Sequence, residues 1–251
     1  NEWDILIFTQ NWPNSVCLAW QEKSKGATCT LPNDTTKWTI HGIWPTKLGT
    51  TGPWFCDPSR PFNLESIYGL LPQLEEVWTP VQNHKKRYML WRHEWEKHGT
   101  CAAQIQPLDS EFKYFEQGLQ WAEKYGMVSL LEKAGIKPSS VGYDPQSIWQ
   151  GVKRVLGKDP CIVCYDDQHD GVSYLQEIRL CFDKNLSLVN CDGVKKSWGY
   201  YGNNNNNSLI QCPLNKPTLY LKQVPDRTKI SPDPHIITII KTIQFLQWIS
   251  L

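Results

Sequence analysis

The sequence predicts an α+β fold with a central, mainly antiparallel sheet that is flanked by helices and stapled by disulfides. Apolar segments rich in β-forming residues occur early and late in the 251-residue chain, whereas helical apolar spacing dominates its middle. Early strands, middle helices and late strands indicate an α+β domain. Nine cysteines are spread along the chain, which indicates disulfides and an oxidising compartment, with one thiol left over by the odd count.

The first two strands are predicted from apolar runs. Residues 4–10 are rich in β-formers and predict a buried central strand. The polar residues 21–37 predict a loop, held by a disulfide between Cys17 and Cys29. Residues 38–45 (WTIHGIWP) predict a second strand that runs into a turn at its proline.

One histidine, His41, lies among the apolar neighbours of the second strand. A lone strand histidine is more often a hydrogen-bonded core residue than a catalyst, so both interpretations stay open at this point. Gly42 beside it favours a special geometry, because a glycine inside a strand marks a bulge or the close approach of another group.

Helical spacing and turn signals place the later elements. The predicted helices are residues 63–77, interrupted by Pro72, a helix capped by Asp109 or Ser110 and closed by Gly126, and residues 144–157. The predicted late strands are residues 172–182 and 186–191, joined by a hairpin turn.

Residues 91–101 (WRHEWEKHGTC) hold a high density of titratable side chains. If this segment is a regular α-helix, at about 100° per residue, four side chains fall on one arc: His93, Glu94, Lys97 and His98. That arc would gather proton donors, proton acceptors and a fixed cation, as a reaction site requires. A run of charges is also common on a solvated helix face, so the helix alone leaves both interpretations open.

A zinc protease does not fit this segment. Its motif needs two histidines at i,i+4 spacing with a glutamate after the first. His93 and His98 are five residues apart, which in an α-helix rotates the second imidazole about 100° further. Cys161 and Cys164 have a spacing found in zinc sites, but only His169 lies nearby and more ligands are needed. The sequence therefore predicts no metal catalysis.

The charge balance excludes a general nucleic-acid coating protein, which would normally be basic. Lysine and arginine number 26 and aspartate and glutamate 25, so a polyanion must be bound by a local cluster. The thirteen tryptophans are interpreted mostly as core residues, although some could stack on bases.

The exported character suggested by the cysteines agrees with three glycosylation sequons, at Asn33, Asn185 and Asn206. The first residues contain neither an initiator methionine nor an apolar signal core, so we expect a mature form whose signal peptide has been removed. The expected location is secreted or lysosomal.

The C-terminal part is set apart by its composition. Residues 202–208 contain five consecutive asparagines and predict a low-complexity loop. Residues 235–251 are apolar but short for a membrane span and interrupted by Lys241, so we predict no span. A docked amphipathic helix, an irregular tail and a lipid-anchor signal stay open. We divide the chain into a domain at 1–222 and a tail of unknown role at 223–251.

Two separated motifs carry a resemblance to a known family. Residues 40–45 (IHGIWP) and 93–101 (HEWEKHGTC), in this order and about fifty residues apart, resemble the two active-site segments of the ribonuclease T2 family. The resemblance is nearest to the animal secreted and lysosomal members and extends from Trp3 to about Cys212. It implies an endoribonuclease that cleaves single-stranded RNA by metal-independent transesterification through 2′,3′-cyclic phosphates, not DNA, and we expect a monomer. It also implies that no cofactor is required.

The resemblance also implies residue roles. His98 is expected to be the general base and His41 the general acid, because imidazoles titrate near the working pH. His93 would contact the phosphate, Lys97 would stabilise the phosphorane, and Glu94 would orient or tune its neighbours.

Substrate contacts and disulfides follow from the same resemblance. Trp44 is similar to the base-stacking tryptophan of the family, but Thr46 stands where several members carry an aspartate, so a purine preference is not carried over. The loop 49–55 is longer than expected and contains Trp54. The implied disulfides are Cys17–Cys29, Cys56–Cys101, Cys164–Cys212 and Cys181–Cys191, with Cys161 as the odd thiol. A binding or signalling protein on the same fold is the alternative to an enzyme.

Overall fold

The computed structural model of the protein describes residues 2–24, 27–82, 88–194 and 209–225. The strands are β1 (Ile5–Asn11), β2 (Thr39–Thr46), β3 (Cys161–Asp166), β4 (Ser173–Phe182), β5 (Leu188–Val189), β6 (Ile210–Gln211) and β7 (Thr218–Leu219). The helices are α1 (Pro13–Lys23), α2 (Leu71–Val77), α3 (Met89–Glu94), α4 (Thr100–Ala102), α5 (Glu111–Lys124), α6 (Met127–Lys133) and α7 (Pro145–Leu156). A π-helical segment (Trp95–Gly99) joins α3 to α4, and 3₁₀ turns occupy Leu64–Leu70 and Gln106–Leu108.

The strands form one sheet in the order β2-β1-β4-β3-β6, with β5 and β7 also paired to β4. All pairings are antiparallel except β3 with β6 and β4 with β7. The predicted α+β fold with a mainly antiparallel sheet is confirmed. The first strand was expected to be central, and β1 does lie between β2 and β4 with every residue buried.

Aromatic side chains fill the core between the sheet and the helices. Ser110 caps α5 by accepting a hydrogen bond from the Lys113 amide, and the helix then buries an aromatic face. Trp121 of that face stacks on Phe182 of β4, with ring centroids 3.8 Å apart. Seven of the eleven tryptophans within the described ranges are buried, which agrees with their interpretation as core residues.

Some elements differ from the predictions. Helix α1 was missed, and the predicted loop begins only after its end at Lys23. Because the α1 residues 13–19 are all buried, they show no alternation of apolar and polar faces. The predicted strand 186–191 is reduced to Leu188–Val189. The predicted interruption of helix 63–77 is confirmed, since Pro72 lies in the first turn of α2.

The four disulfides are those that the resemblance implies: Cys17–Cys29, Cys56–Cys101, Cys164–Cys212 and Cys181–Cys191. The ninth cysteine, Cys161, is a buried thiol on β3 that accepts a hydrogen bond from Gln211.

Several predictions on the C-terminal part fall outside the described residues. These are the asparagine-rich loop 202–208 with the sequon at Asn206, and residues 226–251 of the tail. Within the described ranges, no helix is long and apolar enough to cross a membrane.

Candidate active site

A β-bulge presents His41 to a cleft. In the β1–β2 pairing Thr9 faces Gly42 and Gln10 faces Ile40, so His41 is the additional residue between them. A bulge bends its strand and redirects the side chain of that residue. Trp78 fixes the backbone there, because its indole nitrogen donates to the His41 carbonyl oxygen at 3.0 Å. The His41 side chain remains 34% exposed.

The second motif is not a regular α-helix. Residues Trp95–Gly99 are π-helical, and the Thr100 amide donates to the Trp95 carbonyl oxygen, five residues earlier. In a π-helical turn the backbone hydrogen bond joins residues five apart, so each residue turns the chain less than in an α-helix. His98, inside this segment, lies close to His93, with ring centroids 6.1 Å apart. Gly99 permits this turn, since a Cβ there would lie 2.3 Å from the Trp95 ring.

Glu94 links the two motifs. Its Oε2 atom accepts a hydrogen bond from the Trp44 indole nitrogen at 3.0 Å. A Cβ on Gly42 would lie 2.0 Å from that same oxygen, so the close approach expected at this glycine is made by Glu94. Burial raises the pKa of Glu94 to about 7, although the His41 charge and the Trp44 hydrogen bond oppose the shift.

His98 occupies the floor of the cleft and is 7% exposed. Burial, followed by the nearby charges of Lys97, His93 and His41, places the pKa of His98 well below 6.5. Its Nδ1 atom has no hydrogen-bond partner among the described residues. A buried neutral imidazole with an unused nitrogen is suited to accept a proton.

His93 and Lys97 lie at the rim. His93 is exposed, and burial of part of its ring, followed by the Lys97 charge, lowers its pKa. The Lys97 ammonium group lies 5.4 Å from the Trp54 ring centroid. The loop that carries Trp54 is fixed to this helix by the Phe55 amide, which donates to the Lys97 carbonyl oxygen, and by the Cys56–Cys101 disulfide.

Two charged residues that the sequence analysis missed complete the site. Glu177 and Arg179 lie two residues apart on β4, and their side chains are 10% and 6% exposed. Glu177 Oε1 lies 3.0 Å from His41 Nδ1. The signal was an acid and a base at alternate positions of an otherwise apolar strand, where the pleat places both on one face. Arg179 also lies over the Trp44 ring, 5.2 Å from its centroid.

These side chains line one cleft of about 730 Å³. The Trp44 ring contacts both His41 and His98, with centroid distances of 4.9 Å and 5.6 Å. Every catalytic and substrate-binding residue predicted from the sequence lines this cleft: His41, Trp44, His93, Glu94, Lys97 and His98.

The cleft also offers one group of metal-ligand atoms. One atom each from His93, Glu94 and His98 lies within 4.8 Å of the others. The spacing of His93 and His98 in a regular α-helix therefore does not by itself exclude a metal at this position. Metal ligation requires an ionised carboxylate, and burial raises the pKa of Glu94 to about 7, which opposes ionisation.

Fold and site together define an acid–base enzyme on an α+β scaffold, and comparison with known proteins specifies the family. A sequence profile of the Ribonuclease T2 family matches residues 3–191. Ribonuclease Oy of Magallana gigas is 34% identical over 222 residues, 87% of this chain and 96% of that protein. Ribonuclease T2 of Homo sapiens is 41% identical over 194 residues, 76% of this chain and 71% of that protein.

The fold is also similar to solved structures of ribonucleases. The crystal structure of human RNase T2 superimposes with a TM-score of 0.68 at 34% identity, covering 87% of this chain and 98% of that one. RNase NT in complex with 5′-AMP gives a TM-score of 0.65 at 28% identity, covering 76% of this chain and 91% of that one. The chain belongs to the ribonuclease T2 family.

Proposed function

We propose that this protein is an endoribonuclease that cleaves single-stranded RNA by transesterification through a 2′,3′-cyclic phosphate. The observation that carries the proposal is the convergence of His41 and His98 on one cleft, in environments that shift their pKa values in opposite directions. RNA supplies its own nucleophile, so the enzyme needs only a proton acceptor, a proton donor and a cation.

His98 is the general base. Its lowered pKa keeps the imidazole neutral, so it can take the proton of the ribose 2′-hydroxyl. The 2′-oxygen then attacks phosphorus, and the bond from phosphorus to the 5′-oxygen breaks. His41 is the general acid that protonates this 5′-oxygen, and in a later step the cyclic phosphate is hydrolysed by water with the roles reversed.

The remaining motif residues stabilise the charge on the reacting phosphate or orient neighbouring side chains. Lys97 stabilises the negative charge that develops on the phosphorane, and His93 contacts the phosphate from the cleft rim. Glu94 orients Trp44 through their hydrogen bond, and in its ionised form it favours the protonated form of His41.

Bases contact the aromatic wall formed by Trp44, to which the 47% exposed Trp54 adds a second ring. Thr46 has no carboxylate that could accept from an adenine amino group. Its hydroxyl donates a hydrogen bond to the Trp44 carbonyl oxygen instead. We therefore expect a weak preference among bases.

Residues 1–222 form the catalytic domain of a secreted or lysosomal monomer, and 223–251 form a tail of unknown role. Four disulfides and the exposed sequons at Asn33 and Asn185 support an exported protein. DNA is not a substrate, because it lacks the 2′-hydroxyl that attacks.

Digestion of yeast RNA by the purified protein at pH 5 and 7, with and without EDTA, tests the proposal. We expect cyclic-phosphate products that persist in EDTA and disappear with a folded His98→Ala variant. Intact RNA after incubation with folded wild-type protein would contradict an enzymatic function.

A further inference from the structure

Glu177 is a buried carboxylate whose two oxygens have different partners. Oε1 lies 3.0 Å from His41 Nδ1, and Oε2 accepts hydrogen bonds from Arg179 Nε at 3.0 Å and Nη2 at 2.5 Å. The side chain thus connects the acid of the proposed mechanism to a buried guanidinium group.

Arg179 keeps this carboxylate ionised. A buried carboxyl group would normally become neutral, and burial alone would raise the pKa of Glu177. The Arg179 charge and the His41 contact outweigh burial and lower that pKa to about 2. Glu177 therefore carries a negative charge throughout the pH range in which the enzyme acts.

We propose that Glu177 is a positioning residue for the general acid, which fixes His41 with a hydrogen on Nδ1 and leaves Nε2 to the substrate. The inference rests on the proposed function, in which His41 protonates the departing 5′-oxygen. An ionised carboxylate can only accept at this contact, so Nδ1 must donate. The same bond limits rotation of the imidazole on its bulged strand.

The charge of Glu177 also favours the imidazolium form. Burial disfavours it, but the hydrogen bond and charge of Glu177 and the charge of Glu94 outweigh burial and the opposing charge of Arg179. His93 and His98 face His41 from the helix and disfavour a second positive charge when they are protonated. The net result is a pKa of His41 above 6.5.

Histidine NMR titration tests this without RNA. In the wild-type protein we expect His41 to titrate above 6.5 and its neutral form to carry hydrogen on Nδ1. Glu177→Gln should move the midpoint to lower pH, whereas Glu123→Gln, on the exposed side of α5, should not. A wild-type His41 that titrates at or below 6.5, or is neutral with hydrogen on Nε2, would overturn the inference even if the variant does not fold.

Kinetics with two leaving groups separate a positioning role from a structural one. On RNA we expect Glu177→Gln to lower kcat/KM about 10- to 100-fold, the effect known for carboxylates that orient metal-ligating histidines. On a nucleoside 3′-(4-nitrophenyl phosphate), whose leaving group needs no proton, Glu177→Gln and His41→Ala should both approach the wild-type rate. Equal losses of Glu177→Gln on both substrates would overturn the inference.

The outcomes distinguish this inference from the proposed function. Wild-type protein that leaves RNA intact would overturn the function, while the NMR result would still report the His41–Glu177 contact. RNA cleavage that requires His41 but is unaffected by Glu177→Gln would overturn the inference and leave the function in place.

Discussion

At the scale of single residues, environment gives two imidazoles different proton affinities. His98 is buried beside positive charges, which lowers its pKa, whereas His41 gains a carboxylate partner that raises its pKa. A base must start neutral and an acid must start protonated. Both conditions are met between the two pKa values, one below and one above 6.5.

The first prediction is a bell-shaped pH profile of kcat/KM. Activity should rise as His98 loses its proton, at a pH below 6.5, and fall as His41 loses its proton, at a pH above 6.5. Residual activity of His98→Ala should lack the acidic limb, and that of His41→Ala should lack the alkaline limb. Stopped-flow or initial-rate profiles from pH 4 to 9 check this, and the same limbs in both variants would refute the assignment.

The second prediction concerns Gly42. An alanine methyl group there would overlap Glu94 Oε2, which is buried and bound to Trp44. We expect Gly42→Ala to cost about 1–3 kcal/mol of stability, which lowers Tm by about 2–12 °C, and to reduce kcat/KM at least about 10-fold.

Gly69→Ala is the matched control for calorimetry and kinetics, because its Cβ would meet only Phe112 at 3.9 Å. Wild-type activity in Gly42→Ala would show that the contact between the two motifs is unimportant.

Some residues of the site could be predicted from the sequence, and others could not. The roles proposed for His41 and His98 come from the motif resemblance. The close approach of another group at Gly42 was predicted from the position of this glycine in a strand. Glu177 and Arg179 were not found, because a charged residue in a strand has the same local signal whether it faces solvent or a buried partner. Only the pairing of β1 with both β2 and β4 places them beside His41.

At the scale of elements, the π-helical segment decides which side chains meet. A regular α-helix over 91–101 would rotate His98 about 140° from His93. The π-helical turn at Trp95–Gly99 changes that rotation, and the two ring centroids lie 6.1 Å apart. Sequence periodicity could not reveal this, because a π-helical turn depends on the tertiary contacts of Trp95, whose indole nitrogen donates to the Arg60 carbonyl oxygen. Helix existence was predictable here, and helix type was not.

The third prediction tests the loop that the Cys56–Cys101 disulfide fixes to this helix. Replacing both cysteines by serine should cost about 2–5 kcal/mol of stability. Because the loop carries Trp54 over Lys97, we expect KM to rise more than kcat falls.

Thermal melts and steady-state kinetics measure both effects. The Cys17–Cys29 pair, which joins α1 to a different loop, provides the control. Its double serine variant should lose stability with an unchanged KM at a temperature where it is folded. The same rise of KM in both variants would contradict a role of the Trp54 loop in binding.

At the scale of the whole molecule, the chain is nearly neutral, so the proposed function requires RNA to be bound through a few local contacts. Overall charge is +1, so long-range attraction of a polyanion is weak. The fold class, the central position of β1 and the disulfide pattern were available from composition, periodicity and resemblance. Helix α1 was not, since uniform burial removes the polar face that periodicity detects.

The fourth prediction is a shallow salt dependence of RNA binding. With Lys97 and His93 as the phosphate contacts, log K against log salt should have a slope of about −0.7 to −1.4. Lys97→Gln should reduce the magnitude of that slope by about 0.7. Lys113 on α5 forms an ion pair with Asp109, and Lys113→Gln should leave the slope unchanged. A steep slope, as for a broad basic surface, would contradict local binding.

The most direct test of the central claim uses an RNA oligonucleotide with 2′-deoxyribose at one position, digested and analysed by mass spectrometry. Attack by the ribose 2′-hydroxyl predicts, at every cleaved linkage, a 2′,3′-cyclic phosphate or the 3′-phosphate formed by its hydrolysis, and no cleavage after the deoxyribose. Cleavage after the deoxyribose would contradict the account, because another nucleophile would then be required.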